Sequence, residues 1–206
     1  MECINKVCVI GCGQMGRQIG LNTVIYGFEV RLTDTSPDAR ESAQAWAAQY
    51  LEGRIVKGAL SHEQAETALE KFIITGTLED ACAQADLIIE AVVEDREVKS
   101  KLFQHLDNCA PKDAIIATNS SYMVSSMFAG DISDPGRLAN MHYFNPALVM
   151  KVVEIVRGPH TSQETVEKLM DFARSTGKEP ILIAKEIDGF IVNRILRAIK
   201  DEAYYL

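Results

Sequence analysis

The sequence predicts an α/β fold, a doubly wound and mostly parallel sheet that is covered by helices on both faces. Short apolar stretches with strand character alternate with helical segments along the chain, the order expected of a parallel sheet. One stretch, residues 87–93, is nearly continuous in Ile, Val and Leu, which is typical of strands buried on both faces. With 206 residues, the chain has room for one such domain and part of a second.

A glycine-rich turn at residues 11–16, G-C-G-Q-M-G, joins the first predicted strand to the first predicted helix. The strand covers residues 6–10, and helical spacing of apolar residues runs from 15 to 26. A second strand, 28–34, ends in Asp34, about 20 residues after the turn. A strand, a G-x-G-x-x-G turn, a helix and a strand closed by an acid form the dinucleotide fingerprint of Rossmann-type domains.

Each position in this turn has a physical reason. Gly11 allows the sharp turn, Gly13 lets the backbone approach a pyrophosphate, and Gly16 lets the helix pack close to the strand. The free N–H groups at the start of the helix, at Gln14 and Met15, would hold the phosphate charge. An ordinary Gly-rich turn is the alternative, and the surrounding strands and helix argue against it.

Asp34 predicts which dinucleotide would bind. Its carboxylate would accept hydrogen bonds from a ribose diol and would repel a 2′-phosphate, which favours NAD over NADP.

Composition and charge exclude several other classes of function. The hydrophobic fraction of 47% and charged fraction of 24% are those of a globular protein. A net charge of -8 and a pI near 5.1 argue against nucleic acid and anionic membrane as partners. There is no apolar run of bilayer length and no signal-peptide pattern, so we expect a cytoplasmic protein. A processed organellar protein would look the same.

The cysteines predict reduced thiols and no metal site. The five are Cys3, Cys8, Cys12, Cys82 and Cys109. Their number is odd, they form no C-x-x-C pair, and no histidines stand at metal-ligand spacing. Cys12 lies at a helix N-terminus, which can lower the pKa of a thiol. It is either a redox sensor or, more simply, a small residue that fills the turn.

The rest of the chain to residue 183 continues the alternation. The helix that begins after Ser36 has a serine cap and Pro37 in its first turn. Predicted helices cover residues 36–51, a short segment from 61, 97–108 and 161–175, the last of them ended by Gly177. Predicted strands cover residues 72–75, 87–93, 114–117, 137–141, 152–156 and 180–183. The sequence does not decide whether the later strands run parallel or antiparallel to their neighbours.

From Gly189 the pattern changes to one long amphipathic helix that runs to residue 206. Its apolar stripe consists of Ile191, Ile195, Ile199, Ala203 and Leu206. We therefore predict an NAD-binding domain at 1–187 and, at 188–206, the first helix of a helical domain that is largely absent from this chain. The alternative is a final helix folded back on the sheet.

His142 and Glu154 are the candidate catalytic pair. His142 lies where a predicted strand ends, the position at which open α/β sheets place their ligands. If the chain turns about Leu148, His142 lies opposite Glu154. A carboxylate fixes the tautomer of an imidazole and stabilises the imidazolium, which makes a competent general base. A histidine that is merely buried in the core is the alternative.

Five segments in register resemble one protein family. They are G-C-G-Q-M-G at 11–16, I-E-A-V-V-E at 89–94, T-N-S-S at 118–121, H-Y-F-N-P at 142–146 and D-G-F-I-V-N-R at 188–194. Together they resemble the 3-hydroxyacyl-CoA dehydrogenase family, including the 3-hydroxybutyryl-CoA dehydrogenases. The similarity covers essentially the whole chain.

The resemblance implies a role for several side chains at the reacting end. His142 would take the proton from the substrate 3-hydroxyl, with Glu154 as its orienting partner. Ser120 and Asn193 would bind the oxygen at C3 and the thioester region. From the sequence alone, Ser120 and Ser121 could instead cap a following helix, and Asn193 could be a polar residue at a domain boundary.

The resemblance also implies contacts with the two nucleotides. Glu94 and Lys99 would contact the nicotinamide side of NAD, with Asn145 close to the same ring. Lys57 would meet phosphates of coenzyme A. The alternatives are a solvated charge cluster that begins a helix at 94–97 and an ordinary surface lysine at 57.

The sequence thus predicts an NAD-dependent oxidoreductase of fatty acid metabolism that interconverts 3-hydroxyacyl-CoA and 3-ketoacyl-CoA. Members of the family carry a helical second domain that completes the acyl pocket and forms a homodimer interface, so a homodimer is expected when that domain is present. A dehydrogenase for a small hydroxy acid or sugar acid is one alternative, since lambda-crystallin-like proteins share the architecture. A non-catalytic NAD-binding module is the other.

Overall fold

The computed structural model describes residues 4–205, so Cys3 and Leu206 lie outside the described part of the chain. An eight-stranded sheet forms its centre. The strands are β1 (Lys6–Ile10), β2 (Glu29–Thr33), β3 (Phe72–Ile74), β4 (Leu87–Glu90), β5 (Ile115–Thr118), β6 (Leu138–Tyr143), β7 (Val152–Val156) and β8 (Glu179–Ile183). Their spatial order is β3-β2-β1-β4-β5-β6-β7-β8.

All neighbouring strands are parallel except β6 and β7, which pair antiparallel. The carboxyl ends of β1, β2, β4, β5 and β6 therefore meet at one edge of the sheet, where open α/β sheets bind their ligands. The mostly parallel sheet and the antiparallel turn among the later strands are both confirmed.

Helices cover both faces, which confirms the doubly wound prediction. They are α1 (Gln14–Ile25), α2 (Pro37–Val56), α3 (His62–Lys71), α4 (Leu78–Cys82), α5 (Arg96–Cys109), α6 (Gln163–Ser175) and α7 (Val192–Tyr205). Side chains of β1 alternate between two buried clusters: Val7 and Val9 join the one with α1, α2, α3 and α6, while Cys8 and Ile10 join the one with α4 and α5. Because helices cover both faces of the sheet, the side chains on both faces of a strand are buried, which explains why the strand sequences are apolar without interruption.

Two elements differ from the sequence prediction for local reasons. Strand β4 ends at Glu90 and not near residue 93, because the Glu90 carboxylate accepts a hydrogen bond from the Val92 N–H at 2.8 Å and turns the chain out of the sheet. The short helix α4 was not predicted. It is capped by Thr77, whose hydroxyl accepts from the Asp80 N–H, so a T-x-x-D cap was the available signal.

Helix α7 lies clear of the sheet. None of its residues is buried, and the side chains of Ile195 and Ile199 on its apolar stripe are 54% and 60% exposed. The alternative in which this helix folds back on the sheet is therefore wrong for residues 192–205.

Candidate active site

The glycine turn after β1 is shaped to receive a phosphate group. Gly11 has a φ of 106°, and a Cβ there would lie 2.5 Å from the carbonyl oxygen of Ala91. A Cβ on Gly16 would lie 1.8 Å from the carbonyl oxygen of Gly11, so the helix can pack this closely only on glycine. Gly13 has no atom within 4 Å of its Cβ position and gives α1 no side-chain cap. The first N–H groups of α1, at Gln14 onward, thus face open space that suits a pyrophosphate.

Asp34 is held at this turn by backbone hydrogen bonds. Its Oδ2 accepts from the Cys12 N–H at 2.8 Å, and its Oδ1 accepts from the Ser36 N–H at 2.9 Å. The acid at the end of β2 therefore lies directly beside the glycine turn, as the nucleotide interpretation requires. Burial, together with the charge of Asp34, raises the pKa of the Cys12 thiol to about 12. Cys12 is protonated at neutral pH, which favours the filler interpretation over a redox sensor.

Asn145 brings a second loop to the same place. Its Oδ1 lies 3.4 Å from the side-chain amide nitrogens of both Gln14 and Gln18 on α1. The loop that follows β6 therefore reaches the start of the helix that follows the glycine turn. His142, three residues earlier in that segment, is thereby placed next to the nucleotide site.

His142 and Glu154 are in direct contact. They occupy opposite positions in the antiparallel register of β6 and β7, and His142 Nδ1 lies 2.8 Å from Glu154 Oε2. Both side chains are buried. Burial raises the pKa of the Glu154 carboxyl, but hydrogen bonds from His142 and from the N–H groups of Val192 and Ile191 outweigh it and leave the pKa lowered. Glu154 is therefore an anion that orients the imidazole.

The other nitrogen of His142 faces a serine. Nε2 lies 3.0 Å from Ser121 Oγ, and in the neutral imidazole whose Nδ1–H donates to Glu154, Nε2 has the lone pair and can accept from that hydroxyl. The rings of Phe144 and Phe190 also contact the imidazole, with centroids 4.6 and 5.3 Å from its own. One acid, one hydroxyl and two rings thus fix the orientation of the histidine.

Ser120 lies one residue from this contact and makes different bonds. It is buried, its hydroxyl donates to Glu94 Oε1, and it accepts from the Met123 N–H at 2.9 Å. The structure therefore brings Ser121, which the sequence interpretation did not assign to the site, to the histidine. The helix-cap alternative for the two serines is wrong, because the next element is a 3-10 helix, Ser125–Asp131, without a side-chain cap.

Lys99 is buried and forms ion pairs with two acids. Its Nζ lies 2.6 Å from Glu90 Oε1 and 3.1 Å from Glu94 Oε2, and the side chains of Lys99 and Glu90 are 1% and 0% exposed. The hydroxyl of Thr118 donates to Glu90 Oε2 at 2.6 Å. The structure shows ion pairs of Lys99 with Glu90 and Glu94, and the contact of Lys99 with the nicotinamide side stays a prediction. Glu90 was missed, although an acid at the end of an apolar strand was a visible signal.

Glu94 is the member of this network that reaches the surface, with 41% of its side chain exposed. Burial raises the pKa of its carboxyl, but hydrogen bonds from Ser120, Lys99 and the Ser121 N–H outweigh that effect and lower the pKa. The alternative of a solvated charge cluster that begins a helix holds for Asp95, Arg96 and Glu97: all three are exposed, and Asp95 caps α5 by accepting from two backbone N–H groups.

Two predicted residues make no contact with this group. Asn193 is half-buried near the start of α7 and lines a groove of about 610 Å³ with Tyr122 and Asp188. Lys57 is exposed at the end of α2, and its ammonium group has no hydrogen bond or ion pair within residues 4–205. The structure thus brings together the glycine turn, Asp34, Asn145, the His142–Glu154 pair and the loop of Glu94 and Ser120.

Residues 4–205 contain no group of three or more His, Cys, Asp or Glu side chains arranged to hold a metal ion. In the same part of the chain, no helix combines the length and the apolar character needed to cross a bilayer.

Comparison with known proteins gives a consistent result. The sequence profile of "3-hydroxyacyl-CoA dehydrogenase, NAD binding domain" matches residues 6–187. The chain is 38% identical to 3-hydroxyadipyl-CoA dehydrogenase of Escherichia coli K12 over 98% of this chain and 42% of that protein. It is 34% identical to a probable 3-hydroxybutyryl-CoA dehydrogenase of Bacillus subtilis, over 98% and 70%.

Solved structures agree with the sequence comparison. A 3-hydroxybutyryl-CoA dehydrogenase from Escherichia coli K12 superposes with a TM-score of 0.95 and 38% identity, over 99% of this chain and 43% of that one. An (S)-3-hydroxybutyryl-CoA dehydrogenase from Ralstonia eutropha gives 0.92 and 33%, over 98% and 70%. The chain spans 42% of the length of the Escherichia coli 3-hydroxyadipyl-CoA dehydrogenase and 43% of the Escherichia coli chain of known structure.

Proposed function

The chain belongs to the 3-hydroxyacyl-CoA dehydrogenase family, whose NAD-binding domain it contains, and we propose that it interconverts 3-hydroxyacyl-CoA and 3-ketoacyl-CoA. The observation that carries this proposal is the His142–Glu154 contact at 2.8 Å, next to a loop that reaches the glycine-turn helix through Asn145. A base and a dinucleotide site side by side are the two parts that an alcohol dehydrogenation needs.

His142 acts as the general base through Nε2. Its Nδ1–H donates to Glu154, so the lone pair of Nε2 is directed away from the acid and toward the Ser121 hydroxyl. In the oxidation direction, Nε2 takes the proton of the 3-hydroxyl while the hydride leaves C3, which avoids a protonated ketone. The adjacent anion stabilises the imidazolium that forms. In the reverse direction, the imidazolium returns the proton to the oxygen.

The residues at the glycine turn fit NAD. When bound, NAD accepts or supplies the hydride at its nicotinamide ring. The open space at Gly13 would accommodate the pyrophosphate, and Asp34 would accept hydrogen bonds from the ribose diol with its remaining lone pairs. Glu94, supported by Lys99, and Asn145 line the nicotinamide side.

Polar groups around His142 bind the substrate oxygens. Ser121 would turn its hydroxyl hydrogen from Nε2 to the C3 oxygen when the substrate hydroxyl takes its place at Nε2, and Ser120 holds the loop that carries Ser121. Asn193, one residue after a hydrogen-bond donor to Glu154, contacts the thioester region. Lys57 meets a phosphate of coenzyme A, for which its unpaired ammonium group is suited.

The exposed helix α7 and the free cysteines support a homodimer and a cytoplasmic location. The exposed apolar stripe of α7 supports a helical domain that begins near Asp188, completes the acyl pocket and forms a homodimer interface. The unpaired thiols of Cys8, Cys12, Cys82 and Cys109 support a reducing compartment, the cytoplasm.

An assay of acetoacetyl-CoA reduction, in which the loss of NADH absorbance is measured, tests the proposal. The assay compares this chain with a version extended to the length of its relatives, and it includes His142→Gln and the matched surface control His62→Gln. We expect His142→Gln to lose about a hundredfold in kcat with NADH affinity retained, and His62→Gln to match the parent. Turnover of free hydroxy acids but not of the CoA ester, or unchanged turnover in His142→Gln, would contradict the proposal.

A further inference from the structure

The turn that leads into α7 has an unusual backbone beside the catalytic pair. Gly189 and Phe190 both have left-handed backbones, with φ of 72° and 49°. Within residues 4–205, Phe190 is the only residue other than glycine with a positive φ. A bulky side chain is rarely found in this conformation, and it persists only where the surroundings hold it.

This turn directs two backbone donors at the catalytic acid. The N–H groups of Ile191 and Val192 both lie 3.0 Å from Glu154 Oε1. Since Val192 is the first residue of α7, these are donors that the helix itself leaves unpaired. The two oxygens of Glu154 therefore serve different partners: Oε2 holds the imidazole of His142, and Oε1 holds the start of α7.

The side chain of Phe190 packs where it can restrain the imidazole. It is fully buried, and its neighbours in a small apolar cluster are Val156 and Ile183 from the last two strands. Its ring centroid is 5.3 Å from that of His142, on which the ring of Phe144 also packs. Glycine would adopt this left-handed backbone with less strain than phenylalanine. The backbone conformation of the turn therefore does not explain why a phenylalanine stands at position 190.

We infer that Phe190 is a positioning residue for His142. Its ring restrains one side of the imidazole, and its left-handed backbone directs the Ile191 and Val192 N–H groups at the carboxylate that orients the same imidazole. The geometry of the base is thereby coupled to the position of α7. The catalytic meaning of this inference rests on the proposed function of His142, whereas the restraint itself is a property of the folded chain.

The Nδ1–H proton of His142 provides a direct readout by NMR. In a hydrogen bond to a buried carboxylate it resonates far downfield and exchanges slowly with water, and its absence from His142→Gln assigns it. We compare Phe190→Ala and Phe190→Leu with Phe128→Ala, a control in which an equally buried ring, packed on Phe103, is removed from a different cluster.

We expect Phe190→Ala to raise the exchange rate of this proton at least tenfold, Phe190→Leu to restore part of the protection, and Phe128→Ala to leave the rate unchanged. If Phe190→Ala does not fold, faster exchange in Phe190→Leu alone supports the inference. Parental exchange in the folded Phe190 variants, or an equal increase in Phe128→Ala, overturns it. Because neither substrate nor NAD is present, this result is independent of the turnover of His142→Gln, which tests the proposed function.

Discussion

Replacing Lys99 by methionine tests the buried ion pair that supports the site. The side chains of Lys99 and Glu90 are 1% and 0% exposed, with Nζ 2.6 Å from Oε1. Methionine keeps much of the apolar stem but removes the charge, so Glu90 retains only its bonds from the Val92 N–H and the Thr118 hydroxyl. Removing one partner of a buried pair costs about 3–5 kcal/mol, and we expect the free energy of unfolding to fall by that amount.

Two further variants show whether the loss of stability in Lys99→Met comes from the burial of the ion pair or from the loss of a charge alone. Lys168→Met breaks the ion pair between Lys168 and Glu164 at 2.9 Å on the surface of α6, where we expect a change of about 0–1 kcal/mol. The double variant Lys99→Met with Glu90→Gln leaves no uncompensated buried charge and should recover part of the lost stability.

Urea unfolding, followed by far-UV circular dichroism and by the fluorescence of Trp46, the only tryptophan, measures these differences. NADH binding, measured by fluorescence, reports on Glu94, which loses its ion-pair partner in Lys99→Met. We expect this variant to bind NADH more weakly than the parent. A stability loss in Lys99→Met no larger than that in Lys168→Met, or a double variant less stable than the single one, would refute the reasoning.

Three further predictions concern the glycine turn and the acids. Gly16→Ala places a Cβ 1.8 Å from a backbone oxygen and should lower the thermal midpoint by many degrees, whereas Gly13→Ala, with no atom within 4 Å, should fold like the parent and bind NADH more weakly in titration calorimetry. Asp34→Ala should weaken NAD binding and reduce the preference for NAD over NADP. An unchanged ratio of the NAD and NADP affinities would exclude the contact of Asp34 with the ribose. Since the pKa of Glu154 is lowered in the folded state, its contribution is complete above the ordinary value of 4.5 and is lost as the pH falls through the lowered value. The stability difference between the parent and Glu154→Gln in urea should therefore be largest near neutral pH and shrink below about pH 4.5; a constant difference would contradict this assignment.

Much of the fold is readable from the sequence because its signals are local. The strand 6–10, the glycine turn and Asp34 form one contiguous pattern, and each glycine meets a steric requirement set by its immediate neighbours. Strands β6 and β7 are separated by one short loop, so the pairing of His142 with Glu154 could be derived from their spacing. By contrast, β4 was predicted too long because a side-chain bond from Glu90 ends it, and hydropathy carries no such information.

The contacts within the site that escaped prediction join distant segments of the chain. Lys99 is paired with an acid at the end of β4, and its burial is invisible in a helix that begins with a run of charged residues. The choice between Ser120 and Ser121 is decided by the path of a loop without regular structure. The left-handed backbone of Phe190 has no sequence signal, since glycine or asparagine is the residue expected there.

The antiparallel pairing of β6 with β7 restricts how this protein can change in length. Side chains alternate between the faces of a strand, so shifting one of these strands by a single residue against the other would send His142 or Glu154 to the opposite face. An insertion between them is tolerated only if the intervening loop absorbs it without altering the register. We therefore expect changes of length to be rarer between residues 142 and 154 than in exposed loops that join no site residues.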